Sequence, residues 1–546
     1  MSAVAPAAFH PAAPAVSRTA RYQVLVGALL IQLILGTIYG YSIFWEPLDK
    51  SIWPPVLTQA QAQALAARGT PAAADAVIVA DEAAARRVAN ERQGYLKYSF
   101  SICVLAFALT MIFAGRLQDI IGPRYTALIG GVLLALGFLI SGQMHHQITF
   151  LICHALLVSA AVLVLLLGLH ALTARVDRAR YPIVQYLPHA VVTLAVVCGV
   201  LLGQEYVSHG PRDKVFLLWG TIGLIAGAGI GFAYVCPIAA LVKWFPQYKG
   251  LMAGIAVAGF GFGAYIFSLP GLSLYGVPLG AAGFIKAYGI TALFSVHALI
   301  CLLAVGLGAA LLRNPPAQAP AAPRAGAVAG GTDLTWQETL RTGRFYLVWF
   351  MYFTGAMAGL MVIGILKPFA GAQLTAAAER AGLALTAALQ DNLMAEGAKA
   401  VGILAIFNAI GRIFWGLLSD RIGRTPAMIL MFVLQGATLL VLTALDTRWL
   451  LAAGAAAVGF NYGGLFALFP SLTADLFGSK NLGANYGWVF TSYGIAGVVG
   501  IWAGNLARAK TGSYFAAFAL AAGLCFVSAV LAVVLGRAVK KPRAAG

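Results

Sequence analysis

Fourteen stretches of mostly apolar residues follow one another along this chain, near 22–45, 97–115, 124–143, 148–172, 188–207, 215–241, 250–270, 288–312, 344–366, 399–418, 425–444, 449–471, 485–507 and 513–536. Each has roughly the 20 residues an α-helix needs to cross a bilayer. An aqueous globule cannot bury so many, and the composition agrees. Mean hydropathy is +0.85 and only 10% of residues are charged, against about 25% in soluble domains. No stretch alternates with period two, which argues against a transmembrane β-barrel. The fold class expected is an all-α membrane protein.

The net charge of +18 would suit a nucleic-acid binder, but the basic residues form no stripe. They alternate sides. With an even number of spans both termini share a side, and placing them in the cytoplasm puts Arg116, Arg124, Arg175, Lys243, Lys249, Arg341, Arg421, Arg424 and the tail residues Arg537, Lys540 and Lys541 there too. The short outer loops keep few cations, as the positive-inside rule requires. The six cysteines lie singly in apolar runs without CxxC spacing, so no disulfide framework or metal site is expected. No cofactor motif is present either.

The expected organisation is a disordered cytoplasmic tail (1–20), an N-terminal bundle (21–313), a Pro/Ala/Gly-rich cytoplasmic linker (314–343), a C-terminal bundle (344–537) and a second cytoplasmic tail (538–546). Two polar stretches, 46–96 and 368–398, read as outer loops with helical pieces, the first of them periplasmic.

The two bundles repeat each other. GRLQDIIGPR (115–124) and GLLSDRIGR (416–424) each join one apolar run to the next, with Asp119 and Asp420 lying 301 positions apart. A second pair of landmarks, Pro237 before KWFPQYKG and Pro470 before DLFGSKNLG, is offset by 233. The 68-position mismatch must be sequence added to the first half between Asp119 and Pro237, and two helices with loops over about 148–214 fill it. The plan is therefore two six-helix halves with an inserted helical hairpin, about 14 membrane helices in all. Paired halves around a midplane site are the architecture of many secondary transporters.

These two loops resemble the signature loop of the major facilitator superfamily. GAGIGFAYVCPIAALVKWFPQYKGLMAG (227–254), NYGWVFTSYGIAG (485–497) and GTIYGYSIFWEPL (36–48) resemble the oxalate/formate antiporter family within it. The likeness covers nearly the whole chain except 49–96 and 148–214. It implies a major facilitator fold in a bacterial inner membrane, functional as a monomer, with the bilayer and a small organic anion as its partners. It also implies that Gly115, Asp119, Gly122 and Arg124, with Gly416, Asp420, Gly423 and Arg424, form a conformational latch. A carboxylate at a helix end can pair with a cation or a neighbouring helix N-terminus, and those contacts must break for that side to open.

Arg412 lies eight residues before Asp420, about 12 Å deeper at 1.5 Å per residue, which places a guanidinium near the bilayer midplane. Such a charge must face a cavity or a partner, and its fork matches a carboxylate. The resembled family carries its substrate-binding arginine at this point. Its oxalate-carrying members have a lysine where Tyr493 aligns here. One cation with a phenol suits a monocarboxylate (formate, lactate, pyruvate), whereas two cations suit oxalate. Tyr39, Tyr41, Trp45, Tyr234, Tyr462, Trp488 and Phe490 are further candidates to wall the cavity, and each could equally be a packing residue.

Glu46 and Glu205 are the acids near membrane depth, and neither matches Arg412 in depth, so no carboxylate proton relay is indicated. A carrier with a bare central arginine is expected to favour exchange of one anion for another. Proton-coupled monocarboxylate symport is the competing transport reading, and a non-transporting nutrient sensor is the competing reading of another class. No nucleophile–base pair supports an enzyme.

Overall fold

Hydrocarbon offers no water to backbone N–H and C=O groups, so apolar runs satisfy them internally as helices. The computed structural model shows this over the residues it describes, 18–69, 75–146, 192, 210–269, 273–274, 276–316, 333–511 and 514–540. The first half contains α1 (Arg18–Gly36), α2 (Glu82–Ile121), α3 (Pro123–Gly142), α4 (Pro211–Trp244), α5 (Lys249–Ser268) and α6 (Ala281–Leu311). The second contains α7 (Gly343–Arg380), α8 (Ala387–Ile422), α9 (Arg424–Leu442), α10 (Arg448–Phe477), α11 (Leu482–Thr511) and α12 (Phe515–Lys540).

Eleven described helices are long and apolar enough to cross a membrane. As the twelfth, α11 packs between α2 and α7. The expected spans 148–172 and 188–207, and with them the hairpin and Glu205, lie almost wholly outside the described residues, as do most of both tails and the middle of the linker.

The polar stretches are more helical than their composition suggests. Residues 46–96 form a helix Trp45–Ile52, a parallel pair of three-residue strands (Val56–Thr58 with Val77–Val79), a helix Gln59–Ala67 and the first four turns of α2. Asp81 sets that start by accepting a hydrogen bond from the Ala84 N–H. In the second half α7 runs to Arg380 and α8 begins at Ala387, so the expected loop 368–398 shrinks to a few residues. A helix need not end where its apolar window ends, because water tolerates its polar turns.

The halves meet along two crossings, α5 on α8 and α2 on α11. Glycine makes both possible. A Cβ on Gly115 would lie 2.0 Å from the Gly483 carbonyl oxygen, and one on Gly416 would lie 2.3 Å from that of Gly250. The backbones therefore touch, as small residues permit in membrane helices. The second motif glycines, Gly122 and Gly423, have φ of 90° and 96° and end α2 and α8 in a conformation that other residues avoid.

Candidate functional site

Arg412 is 1% exposed and sits in the middle of the α5–α8 crossing. The backbone approaches so closely here that a Cβ on Gly254 would lie 2.2 Å from the Arg412 carbonyl oxygen. The guanidinium donates from Nε to Asn408 Oδ1 at 2.9 Å and from Nη1 to the Val257 carbonyl of α5 at 2.5 Å. Its carbon lies 4.4 Å from the centroid of Phe466 and 5.9 Å from that of Phe260. Both distances are within cation–π range.

Tyrosine hydroxyls surround this charge. Tyr39 and Tyr493 share a hydrogen bond of 2.6 Å, Tyr462 donates to Tyr493 at 3.4 Å, and Tyr352 and Tyr486 lie 3.4 Å apart. Tyr39 and Tyr234 pack on Phe260, and Tyr462 and Tyr493 on Phe466, the two rings that face the guanidinium. Among the described residues the Tyr234 hydroxyl is buried without a hydrogen-bond partner, between Phe107, Phe260 and Phe490. An orphaned buried hydroxyl costs about 1–3 kcal/mol, a cost that an incoming acceptor would remove. Seven helices thus contribute: α2, α4, α5, α7, α8, α10 and α11. The eighth contributor is the 3₁₀ segment Thr37–Phe44 that continues α1.

Of the candidates read from the sequence, Arg412, Tyr493, Tyr39, Tyr234, Tyr462 and Phe490 come together. Tyr41 and Trp488 do not. Tyr41 follows Tyr39 by two residues in a three-residue turn, which rotates it by about 120°, and it packs on Phe44 and Phe100. Trp488 precedes Tyr493 by five residues, about 140° around a helix of 3.6 residues per turn. It stacks on Trp336, with centroids 5.8 Å apart. Asn408, Tyr352, Tyr486, Phe107, Phe260 and Phe466 were not singled out beforehand. Asn408 alone had a local signal, one turn before Arg412.

At the end of the molecule carrying the repeated loops, the two motif aspartates reach across to the opposite half. Asp119 accepts from the Ala484 N–H (2.8 Å) at the start of α11, and from Lys243 (3.1 Å). Asp420 accepts from the Gly250 and Leu251 N–H groups (3.0 and 2.8 Å) at the start of α5, and pairs with Arg424 (2.7 Å). Each carboxylate meets the positive end of a helix dipole. Arg424 also pairs with Asp475 (2.8 Å), which in turn holds Lys249 (2.9 Å). Arg124 instead donates to the Ala310 carbonyl at 2.8 Å. This end is closed.

The linker joins it there. A short helix Trp336–Leu340 starts with a capping box in which Thr335 donates to Glu338 and holds its carboxyl below the usual range. The Leu334 carbonyl just before it accepts from Asn481 and Asn485.

The model of the Major Facilitator Superfamily matches residues 348–545. An uncharacterized MFS-type transporter of Escherichia coli K12, YhjX, is 30% identical over 309 residues, covering 56% of this chain and 69% of that protein. An oxalate:formate antiporter of Oxalobacter formigenes is 30% identical over 350 residues, covering 63% of this chain and 76% of that protein. Among solved structures, the E. coli fucose:proton symporter FucP superposes with a TM-score of 0.52 at 13% identity, over 95% of this chain and 99% of that one. At that identity the likeness is one of fold.

Proposed function

This chain belongs to the major facilitator superfamily, a multi-pass membrane transporter of a small solute, and from that premise we propose that it carries small monocarboxylate anions such as formate, lactate or pyruvate. Transport is by alternating access of the two halves. The observation that carries this reading is that, among the described residues, one buried guanidinium lies between the halves against Phe260 and Phe466, with Tyr39, Tyr234, Tyr462 and Tyr493 packed on those rings. Arginine stays charged at any physiological pH and presents a planar fork to a carboxylate. Phenols next to it donate to the remaining carboxylate lone pairs or to a neighbouring oxygen of the cargo.

Among the described residues the buried cation at this crossing is Arg412, which favours a singly charged anion over oxalate. The membrane is the bacterial inner membrane, with both termini cytoplasmic by the distribution of basic residues. The closed Asp119/Asp420 end is then the cytoplasmic gate, and the two motif loops are its latch.

The test is uptake of labelled formate, lactate, pyruvate and oxalate by reconstituted wild type and Arg412→Gln. The expected outcome is carboxylate uptake by the wild type and a loss of at least about 100-fold in the variant, roughly the 2.7 kcal/mol of a charge-assisted contact pair. The variant should remain monodisperse. Wild-type uptake rates in a folded Arg412→Gln protein would sink the assignment. Thermal stabilisation of the purified protein by the same four anions ranks the cargo.

A further inference from the structure

Resting on the carboxylate reading above, we propose that this carrier performs net transport and is not an obligatory exchanger, because the protein itself supplies Arg412 with partners from both halves. The case for exchange assumes a bare arginine. A guanidinium without partners in a low-dielectric interior opposes closure of the unloaded carrier, so that only the anion-bound form crosses over.

Arg412 does not meet that assumption. Asn408 Oδ1 takes its Nε–H, the Val257 carbonyl takes an Nη1–H, and the rings of Phe466 and Phe260 face the cation. Val257 and Phe260 belong to α5 in the first half, and Asn408 and Phe466 belong to the second. The arginine therefore bridges the halves through protein atoms alone.

The bridge follows from the crossing itself. Gly254 lets α5 lie against the Arg412 backbone, which brings the Val257 carbonyl, three residues further along α5, within reach of the guanidinium. Val257 offers a backbone oxygen whatever its side chain. A carboxylate arriving at Nη1 replaces this oxygen as the acceptor, so loading exchanges one acceptor for another and does not create the only one. Loaded and unloaded carriers then have comparable means of closing, and both return steps proceed.

The experiment compares two rates in proteoliposomes held at zero potential with potassium and valinomycin. One is uptake of labelled pyruvate, lactate, formate or oxalate into vesicles free of carboxylate. The other is counterflow into vesicles preloaded with the same anion. Net uptake within about fivefold of counterflow is expected, whereas an exchange-only cycle would leave it at least about 50-fold slower, and that result overturns the proposal. Failure of both rates with all four anions rejects the underlying carboxylate reading instead.

Phe260→Leu and Phe260→Ala withdraw the first-half ring from the bridge. Each should lower the ratio of net uptake to counterflow by about tenfold. If net uptake and counterflow fall together, or the ratio does not move, the bridge is not what returns the unloaded carrier.

Discussion

The two crossings that join the halves are built alike and differ at their centres. On α5, Gly250, Gly254 and Gly261 face Gly416, Arg412 and Ala409 of α8. On α11, Gly483, Gly487 and Gly494 face Gly115, Met111 and Ala108 of α2. The glycines of the second set stand 233 positions after those of the first, and the α8 residues stand 301 after those of α2. Even the close approaches recur, with a Cβ on Gly254 placed 2.2 Å from the Arg412 carbonyl oxygen and one on Gly487 placed 2.4 Å from that of Met111. Backbone contact is thus common to both crossings, while charge belongs to one. The difference separates two demands that a repeat otherwise confounds: close helix contact needs glycine twice, and anion binding, as proposed above, needs arginine once.

The largest expected effect tests the shared part. A leucine at Gly254 or at Gly487 has no room, so either crossing must open. Overpacking of this kind costs about 1–3 kcal/mol. Gly254→Leu and Gly487→Leu should each reduce uptake by about 100-fold, to similar extents, while the purified proteins remain folded. Loss from Gly254→Leu alone would mean that the α2–α11 crossing does not take part in closure.

A smaller effect tests the part that differs. Met111 occupies the place in α2 that Arg412 occupies in α8, and Met111→Lys puts a second cation at that depth. The ratio of oxalate to pyruvate uptake should rise about tenfold, on the order of one additional charge-assisted contact. An unchanged ratio in a folded variant would show that charge at this position does not reach the cargo.

The contrast also explains which features were legible before the structure. Asp119, Asp420, Gly122 and Gly423 could be read because a repeated loop between apolar runs has no other cause for the same polar and left-handed residues. Arg412 could be read because charge at that depth is expensive wherever it points. Direction was the missing information. Lipid and protein interior are equally apolar, so hydrophobic periodicity does not tell a cavity face from a lipid face. Tyr352, Tyr486 and Phe466 are buried at the centre, whereas Trp488 turns toward Trp336 and Tyr41 toward Phe44, and nothing local in the sequence distinguishes them. Lys243, Lys249 and Asp475 read as ordinary helix-end charges until the fold brings them to the motif aspartates.

The smallest effects compare the two proposed latches. Asp119 and Asp420 both receive backbone N–H groups from the opposite half, so Asp119→Asn and Asp420→Asn should each shift the closed end toward opening by about tenfold, near 1.4 kcal/mol. The cations differ. Lys243 belongs to the same half as Asp119, but Lys249 on α5 reaches Asp475 on α10 and adds an ion pair between halves that, among the described residues, the first latch lacks. Asp475→Asn should therefore loosen the closed end by about threefold, in the range of partly exposed pairs. Distances between labels at positions 116 and 480 report these populations. Salt separates the contributions. Lys249 and Asp475 keep 18% and 23% of their side-chain surface, whereas Asp420 keeps 6%. Raising ionic strength to about 1 M shortens the screening length to about 3 Å. The Asp475→Asn effect should then disappear, while that of Asp420→Asn, which rests on buried backbone donors, should persist. Equal salt sensitivity would mean that Asp420 also acts through charge alone and that its contact with the α5 N-terminus does not hold the gate.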